Sequence, residues 1–243
     1  TLFPYTTLFR SPCMQQTENG NNILMVKVPE FYMTDGPVDQ KQAMHGAILL
    51  PIGILQLGSY IQNRFHEVKT HYLDLHLKCR QAYLSAYSSL VFPVPENSTP
   101  DIRSNSKILY VSSSSVLKEE LKKSLESLRP RIVGVSCTMN AFADNFHKVT
   151  ALIKEVYPDA LVVAGGHYPS SYPALCEQDE NVDYFVIGEG ELPFEKFVSN
   201  VLSRRLPDEK RLNQEKCYLE SFDDFPHLEY DKIEVESYLA MRD

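Results

Sequence analysis

What this 243-residue chain lacks narrows what it can be. No run reaches the roughly 18 apolar residues that a membrane-spanning helix needs. No two of its five cysteines (Cys13, Cys79, Cys137, Cys176, Cys217) stand in C-x-x-C spacing, and their number is odd. That pattern opposes a disulfide scaffold and a zinc or iron–sulfur site, and it fits a reducing cytoplasm. Cations are the minority charge, with 24 Lys and Arg against 32 Asp and Glu for a formal net charge of −8. Such a balance argues against a nucleic-acid coat or a basic membrane anchor. Signature motifs are missing too. There is no G-x-G-x-x-G after the first strand, no Walker A sequence, and no Ser-His-Asp or Cys-His pattern. What remains is an ordinary globular composition, 43% hydrophobic and 23% charged, in a length that suits one large domain or two small ones.

The ends are unusual. The chain opens without Met, as Thr1-Leu2-Phe3-Pro4-Tyr5-Thr6-Thr7-Leu8-Phe9-Arg10-Ser11. Residues 1–11 resemble the in-frame translation of a sequencing adapter and are set aside from fold reasoning. They lack the charged start and apolar core of a secretory signal. The last residues, through Met241-Arg242-Asp243, carry no helix-stop or tail signal. The expectation is a fragment cut at both ends.

Between them, apolar runs alternate with helical periodicity. Ile23 to Val28 reads as a buried strand ended by Pro29, and residues 29–46 as a long loop. Pro51 opens a helix bearing Ile52, Leu55, Leu57, Tyr60, Ile61 and Phe65. Val68 to Leu75 reads as a second strand, residues 85–106 as an irregular insertion, and Lys107 to Val111 as a short strand. Leu117, Leu121, Leu125 and Leu128 share one helical face, with serines 112–115 as N-cap candidates and Pro130 as the stop. Ile132 to Ser136 is a strand. Phe142, Phe146, Val149, Ile153 and Val156 mark a helix by their spacing. Leu161 to Ala164 is a strand running into Gly165-Gly166, and Val182 to Ile187 is one running into Gly188-Glu189-Gly190-Glu191. Pro193 opens a last helix. Five strands alternating with helices predict an α/β fold, a flavodoxin- or Rossmann-like doubly wound parallel sheet.

In such folds ligands sit beyond the carboxyl ends of the strands. There the chain places Ser136-Cys137-Thr138, Gly165-Gly166-His167-Tyr168-Pro169 and Gly188-Glu189-Gly190. Glycines permit close backbone approach, hydroxyls can hydrogen-bond amide or nucleotide groups, and following helix N-termini favour anionic groups. Taken singly, a Gly pair is more often a tight turn, Gly-Glu-Gly-Glu a capped turn, and His167 a loop histidine. Their coincidence at one sheet edge makes Ser136, Thr138, Gly165, Gly166, His167, Gly188, Glu189 and Gly190 the candidate binding set.

Four segments together resemble the N-terminal cobalamin-binding domain of class B radical S-adenosylmethionine enzymes. They are Leu50-Pro51-Ile52-Gly53-Ile54-Leu55-Gln56-Leu57-Gly58-Ser59-Tyr60, Val133-Gly134-Val135-Ser136, Val162 to Pro169, and Val182 to Glu191. Their order and spacing also match, over roughly residues 22–206. The resemblance implies a corrinoid over the carboxyl edge with its nucleotide tail between sheet and helices. It makes residues 12–206 the cobalamin-binding domain. Residues 207–243, with Phe222-Asp223-Asp224-Phe225-Pro226, become a linker toward a radical domain outside this chain. Two departures stand out. The D-x-H-x-x-G motif that supplies a histidine to cobalt in related domains is absent after the first strand. Asp74-Leu75-His76-Leu77-Lys78-Cys79 only partly imitates it, follows the second strand, and is read as chance. The C-x-x-x-C-x-x-C ligands of a [4Fe–4S] cluster are missing too, so the resemblance implies a parent in which the cluster and S-adenosylmethionine are bound elsewhere. The fragment would bind and the parent would catalyse, by radical chemistry or methyl transfer. Two other readings stay open. A degenerate module would bind no corrinoid, its sheet edge blocked by Tyr168 or the insertion. A nucleotide-binding enzyme would use Glu189 or His167 in a closed pocket.

Overall fold

The computed structural model describes residues 21–30, 38–39, 49–89, 108–109, 113–213 and 218–240. Five parallel strands form one sheet. They are β1 (Asn21–Lys27), β2 (Val68–Asp74), β3 (Ile132–Ser136), β4 (Leu161–Gly165) and β5 (Tyr184–Phe185). Their spatial order is β2-β1-β3-β4-β5, the flavodoxin-like order with its switch point between β1 and β3. Near-continuous apolar runs such as Ile132-Val133 and Val162-Val163-Ala164 suit strands covered on both faces.

Helices cover both faces. On one lie α1 (Ile52–Arg64) and α7 (Glu191–Leu202), packed with Met25, Ile132, Val163 and Tyr184 around Ile54, Tyr60, Phe194 and Phe197. On the other lie α3 (Ser113–Leu128) and α4 (Ala143–Val156), where Leu117, Leu121, Leu125, Phe146, Val149 and Ile153 pack on Leu24, Val26, Val133 and Val162. The leucine face of α3 thus buries Leu117, Leu121 and Leu125 fully, with Leu128 partly buried at its end.

Several differences from the sequence reading have local causes. The segment after β2 is a helix, α2 (Leu75–Ser89), because the Asp74 carboxylate accepts the Leu77 N–H at 3.1 Å and caps it. The insertion expected from residue 85 therefore overlaps α2 up to Ser89, and its remainder lies outside the described residues, as does the adapter-like start. Ile108–Leu109 does form a short strand, antiparallel to Val38–Asp39 within the expected loop. The fifth strand is shorter than Val182–Ile187 because the Asp183 side chain takes the Val162 N–H at 2.7 Å and pairs with Lys154 at 2.6 Å. Backbone bonds from Asp183 and Val186 to β4 continue on either side. After Gly166 come two short helices, α5 (His167–Ser171) and α6 (Pro173–Gln178), the second opened by its proline.

Both sheet edges are covered. Beside β2, the Gln62 carboxamide of α1 accepts the Thr70 N–H and donates to the Val68 carbonyl. Beside β5, residues 210–212 exchange backbone bonds with Phe185, and the Asn213 carboxamide pairs both backbone groups of Ile187. Residues 218–240 return across α1, β2 and α2. Glu229 N–H donates to Ser59, Lys78 and Gln81 hold Glu234, and Tyr238 of α8 (Val235–Leu239) donates to Asp74 at 2.8 Å. No helix among the described residues is long and apolar enough to cross a membrane.

Candidate functional site

Register decides what meets at the carboxyl edge. The last row across the sheet reads Asp74, Lys27, Ser136, Gly165. One row back on the same face stand Met25, Gly134 and Val163. On this face a cleft of about 250 Å³ opens between the sheet and helices α1 and α7. Its rim is Ser136, Gly165, Gly166, Gly188, Glu189 and Gly190, and its inner walls are Met25, Leu57, Val163, Val186 and Phe194. It lies beside the switch point, where doubly wound sheets bind ligands.

The glycines do different work. A Cβ on Gly165 would meet nothing within 4 Å, so it would project into the cleft. Gly53, at the start of α1, is open in the same way. Gly134 lies mid-strand in the cleft floor, and a Cβ there would stand 2.9 Å from the Met25 sulfur. Gly166 is needed by the fold itself. Its φ is +96°, and a Cβ would come within 2.6 Å of the Cys137 carbonyl. Ser170 of α5 ties the two glycine loops together, since its hydroxyl donates to the Gly166 carbonyl at 2.8 Å and accepts the Gly188 N–H at 2.9 Å.

The structure brings Ser136, Gly165, Gly166, Gly188, Glu189 and Gly190 into one rim and leaves Thr138 and His167 outside the lining. Thr138 is exposed and hydrogen-bonded to Glu30. His167 is exposed at the start of α5, 3.4 Å from the Ser171 hydroxyl. Tyr168 does not block the edge. It is buried, with its hydroxyl 2.7 Å from His147 Nε2, whose Nδ1 lies 2.6 Å from Asp179. Burial alone would raise the Asp179 carboxyl, but hydrogen bonds from His147 and Asn181 hold it below its ordinary value. Sequence reasoning missed Gly134 as a lining residue, although a glycine inside a strand is a signal of close approach. It also missed the pair across the cleft wall, Gln56 donating to Glu191 at 3.0 Å.

The other half of the edge is filled. Lys27, 4% exposed, reaches Glu30 at 3.2 Å, Asp74 at 3.9 Å and the Leu49 carbonyl at 3.3 Å. Burial raises the Asp74 carboxyl above its usual range, against the pull of Lys27. His76 is pushed down to about 4, first by burial and then by Lys27 and Arg80. Its Nδ1 accepts the Glu30 N–H at 3.2 Å, so the 3.9 Å approach of the Glu30 carboxylate is no ion pair in the neutral form. Burial likewise pushes the thiols of Cys79, Cys137 and Cys176 up to about 12.

The fold and site therefore define a doubly wound α/β domain with a glycine-lined cleft at its carboxyl edge. Within that class the comparison is specific. Residues 105–198 match the family model described as B12 binding domain. Cytidylyl-2-hydroxyethylphosphonate methyltransferase of Streptomyces wedmorensis is 33% identical over 76 residues, covering 31% of this chain and 14% of that protein. The cobalamin-dependent radical SAM methyltransferase TokK of Streptomyces tokunonensis is 38% identical over 77 residues, covering 31% of this chain and 11% of that one. Among solved structures, the radical S-adenosylmethionine methyltransferase TsrM of Kitasatospora setae, with cobalamin and a [4Fe-4S] cluster bound, aligns at TM-score 0.49 and 19% identity. That alignment covers 76% of this chain and 25% of TsrM. The chain thus spans only a small part of the length of the relatives it matches.

Proposed function

We propose that this chain is the corrinoid-binding module of a cobalamin-dependent radical S-adenosylmethionine enzyme, and that the whole protein is a methyltransferase. The observation that carries the reading is the glycine-lined cleft at the switch point, most of whose rim lies within the stretch that matches the B12 binding domain model. The methyltransferase activity rests on the names of the two curated relatives. The residues fit the cofactor. Gly165 and Gly53 leave space that a side chain would fill, and the Ser136 hydroxyl stands on the rim to hydrogen-bond an amide or phosphate oxygen. Gly188 and Gly190 let backbone approach from the facing side, and Glu189 stands between them at the mouth.

When bound, cobalamin supplies a cobalt-centred methyl carrier. This chain's own residues would seat and orient it. Thr138 and His167 stand outside the cleft, where they can meet the periphery of a group wider than the cleft itself. The [4Fe–4S] cluster and S-adenosylmethionine of the parent are assigned to chain beyond this fold, which makes a radical domain the principal partner. The reduced, buried thiols suit the cytoplasm.

Titration of the chain with hydroxocobalamin tests the reading, followed by visible spectrum and by co-elution on a sizing column. Stoichiometric co-elution is expected. A folded chain that stays colourless would favour the module that binds no corrinoid.

A further inference from the structure

The cleft walls also bear on which corrinoid enters. We infer that the cleft selects a corrinoid whose lower base is an apolar, benzene-fused ring over one whose base is a purine. This rests on the corrinoid reading above. At about 250 Å³ the cleft is too small for the macrocycle, so only the slim nucleotide appendage of a complete corrinoid can enter it. The walls it meets are the side chains of Met25, Leu57, Val163, Val186 and Phe194. At the wall Gln56 donates to Glu191 at 3.0 Å, a pair set among these five apolar side chains. The strand backbone of the floor is engaged in the β1–β3–β4 ladder. A purine set against those five side chains would turn ring nitrogens and an exocyclic group toward carbon and sulfur, and a buried donor or acceptor left unpaired is costly. A benzimidazole ring carries less polar edge and is held by its apolar area. At Gly134 the Met25 sulfur lies 2.9 Å from where a Cβ would stand, so the floor there is a thioether surface with no side chain above it.

The test is an equilibrium titration of the 243-residue chain with three corrinoids, read by visible spectrum. One is cobalamin, one its adenine-based analogue, and one cobinamide, which lacks the nucleotide. The adenine form is expected to bind roughly tenfold to a hundredfold more weakly than cobalamin, the range that an apolar pocket commands between near-isosteres. Cobinamide should bind at least as weakly as the adenine form. Val186→Thr, nearly equal in size, places a hydroxyl on the wall and should narrow the ratio between the two complete corrinoids. Equal affinity for those two overturns the inference and leaves the corrinoid reading standing. So does cobinamide binding as tightly as cobalamin. Failure of a cooperatively melting chain to bind any of the three overturns both readings at once.

Discussion

One row of the sheet carries two opposite solutions to the same problem. At the β2–β1 end it presents Asp74 and Lys27, and at the β3–β4 end Ser136 and Gly165. Carboxyl ends of strands leave space that something must fill. In the first half the chain fills it with its own charges, and Glu30, His76 and Tyr238 complete the set. In the second half small residues leave the space open, and a cleft results. The cleft comes from what the side chains omit. The charged half is the more conspicuous of the two and is the structural one.

The largest effect should come from breaking the filled half. Asp74→Ala removes the N-cap of α2, the partner of Tyr238 and an anion beside buried Lys27. Loss of one member of such a set costs about 3–5 kcal/mol, measurable by urea unfolding, while the folded fraction should bind hydroxocobalamin with unchanged affinity. If affinity falls with Asp74, the two halves are not independent.

Gly166→Val should come next. The left-handed backbone and the 2.6 Å approach to Cys137 predict a loss of about 3 kcal/mol in thermal or chemical melting. Binding then fails through loss of fold.

Acid sharpens the same contrast. The folded value for His76, about 4, lies below its ordinary value of 6.5. The unfolded chain therefore binds more protons between those values, and stability present above pH 6.5 is lost as pH falls toward 4. The loss attributable to this group is about 3 kcal/mol. His76→Gln should flatten the pH dependence of the urea midpoint across that window.

Gly165→Val is the counterpart of Gly166→Val one residue earlier. With open space at the Cβ, stability should change by less than about 1 kcal/mol, while hydroxocobalamin affinity falls by about tenfold or more. The smallest effect belongs to Ser170→Ala. It removes one bridging hydroxyl and should cost about 1 kcal/mol, with a modest rise in the dissociation constant as the two glycine loops lose their tie.

The strands and the doubly wound class were legible because parallel strands are marked by uninterrupted apolar runs, and because α3 and α4 carry clean periodicity. Helix α2 was not, since its apolar residues are sparsely patterned and its start is set by the Asp74 cap. The rim could be read from glycines and hydroxyls clustered after strands. The inner walls could not, because Leu57, Val186 and Phe194 look like any core residues in sequence, and only the fold brings them to the cleft. The distinction between Gly165 and Gly166 was also hidden, since identical neighbours in sequence have opposite tasks in space.

The two carboxamides at the margins of the sheet have a consequence of their own. An open parallel sheet ends in strands whose outward amides invite another chain to pair with them. Gln62 meets those of β2 with a side chain that imitates a peptide group, and Asn213 does the same just beyond β5. Each offers one donor and one acceptor, as a neighbouring strand would, yet neither can be extended by a further strand. The β2 side is thereby finished by one carboxamide, and on the β5 side Asn213 closes the row that residues 210–212 begin, which leaves little edge for another chain to join.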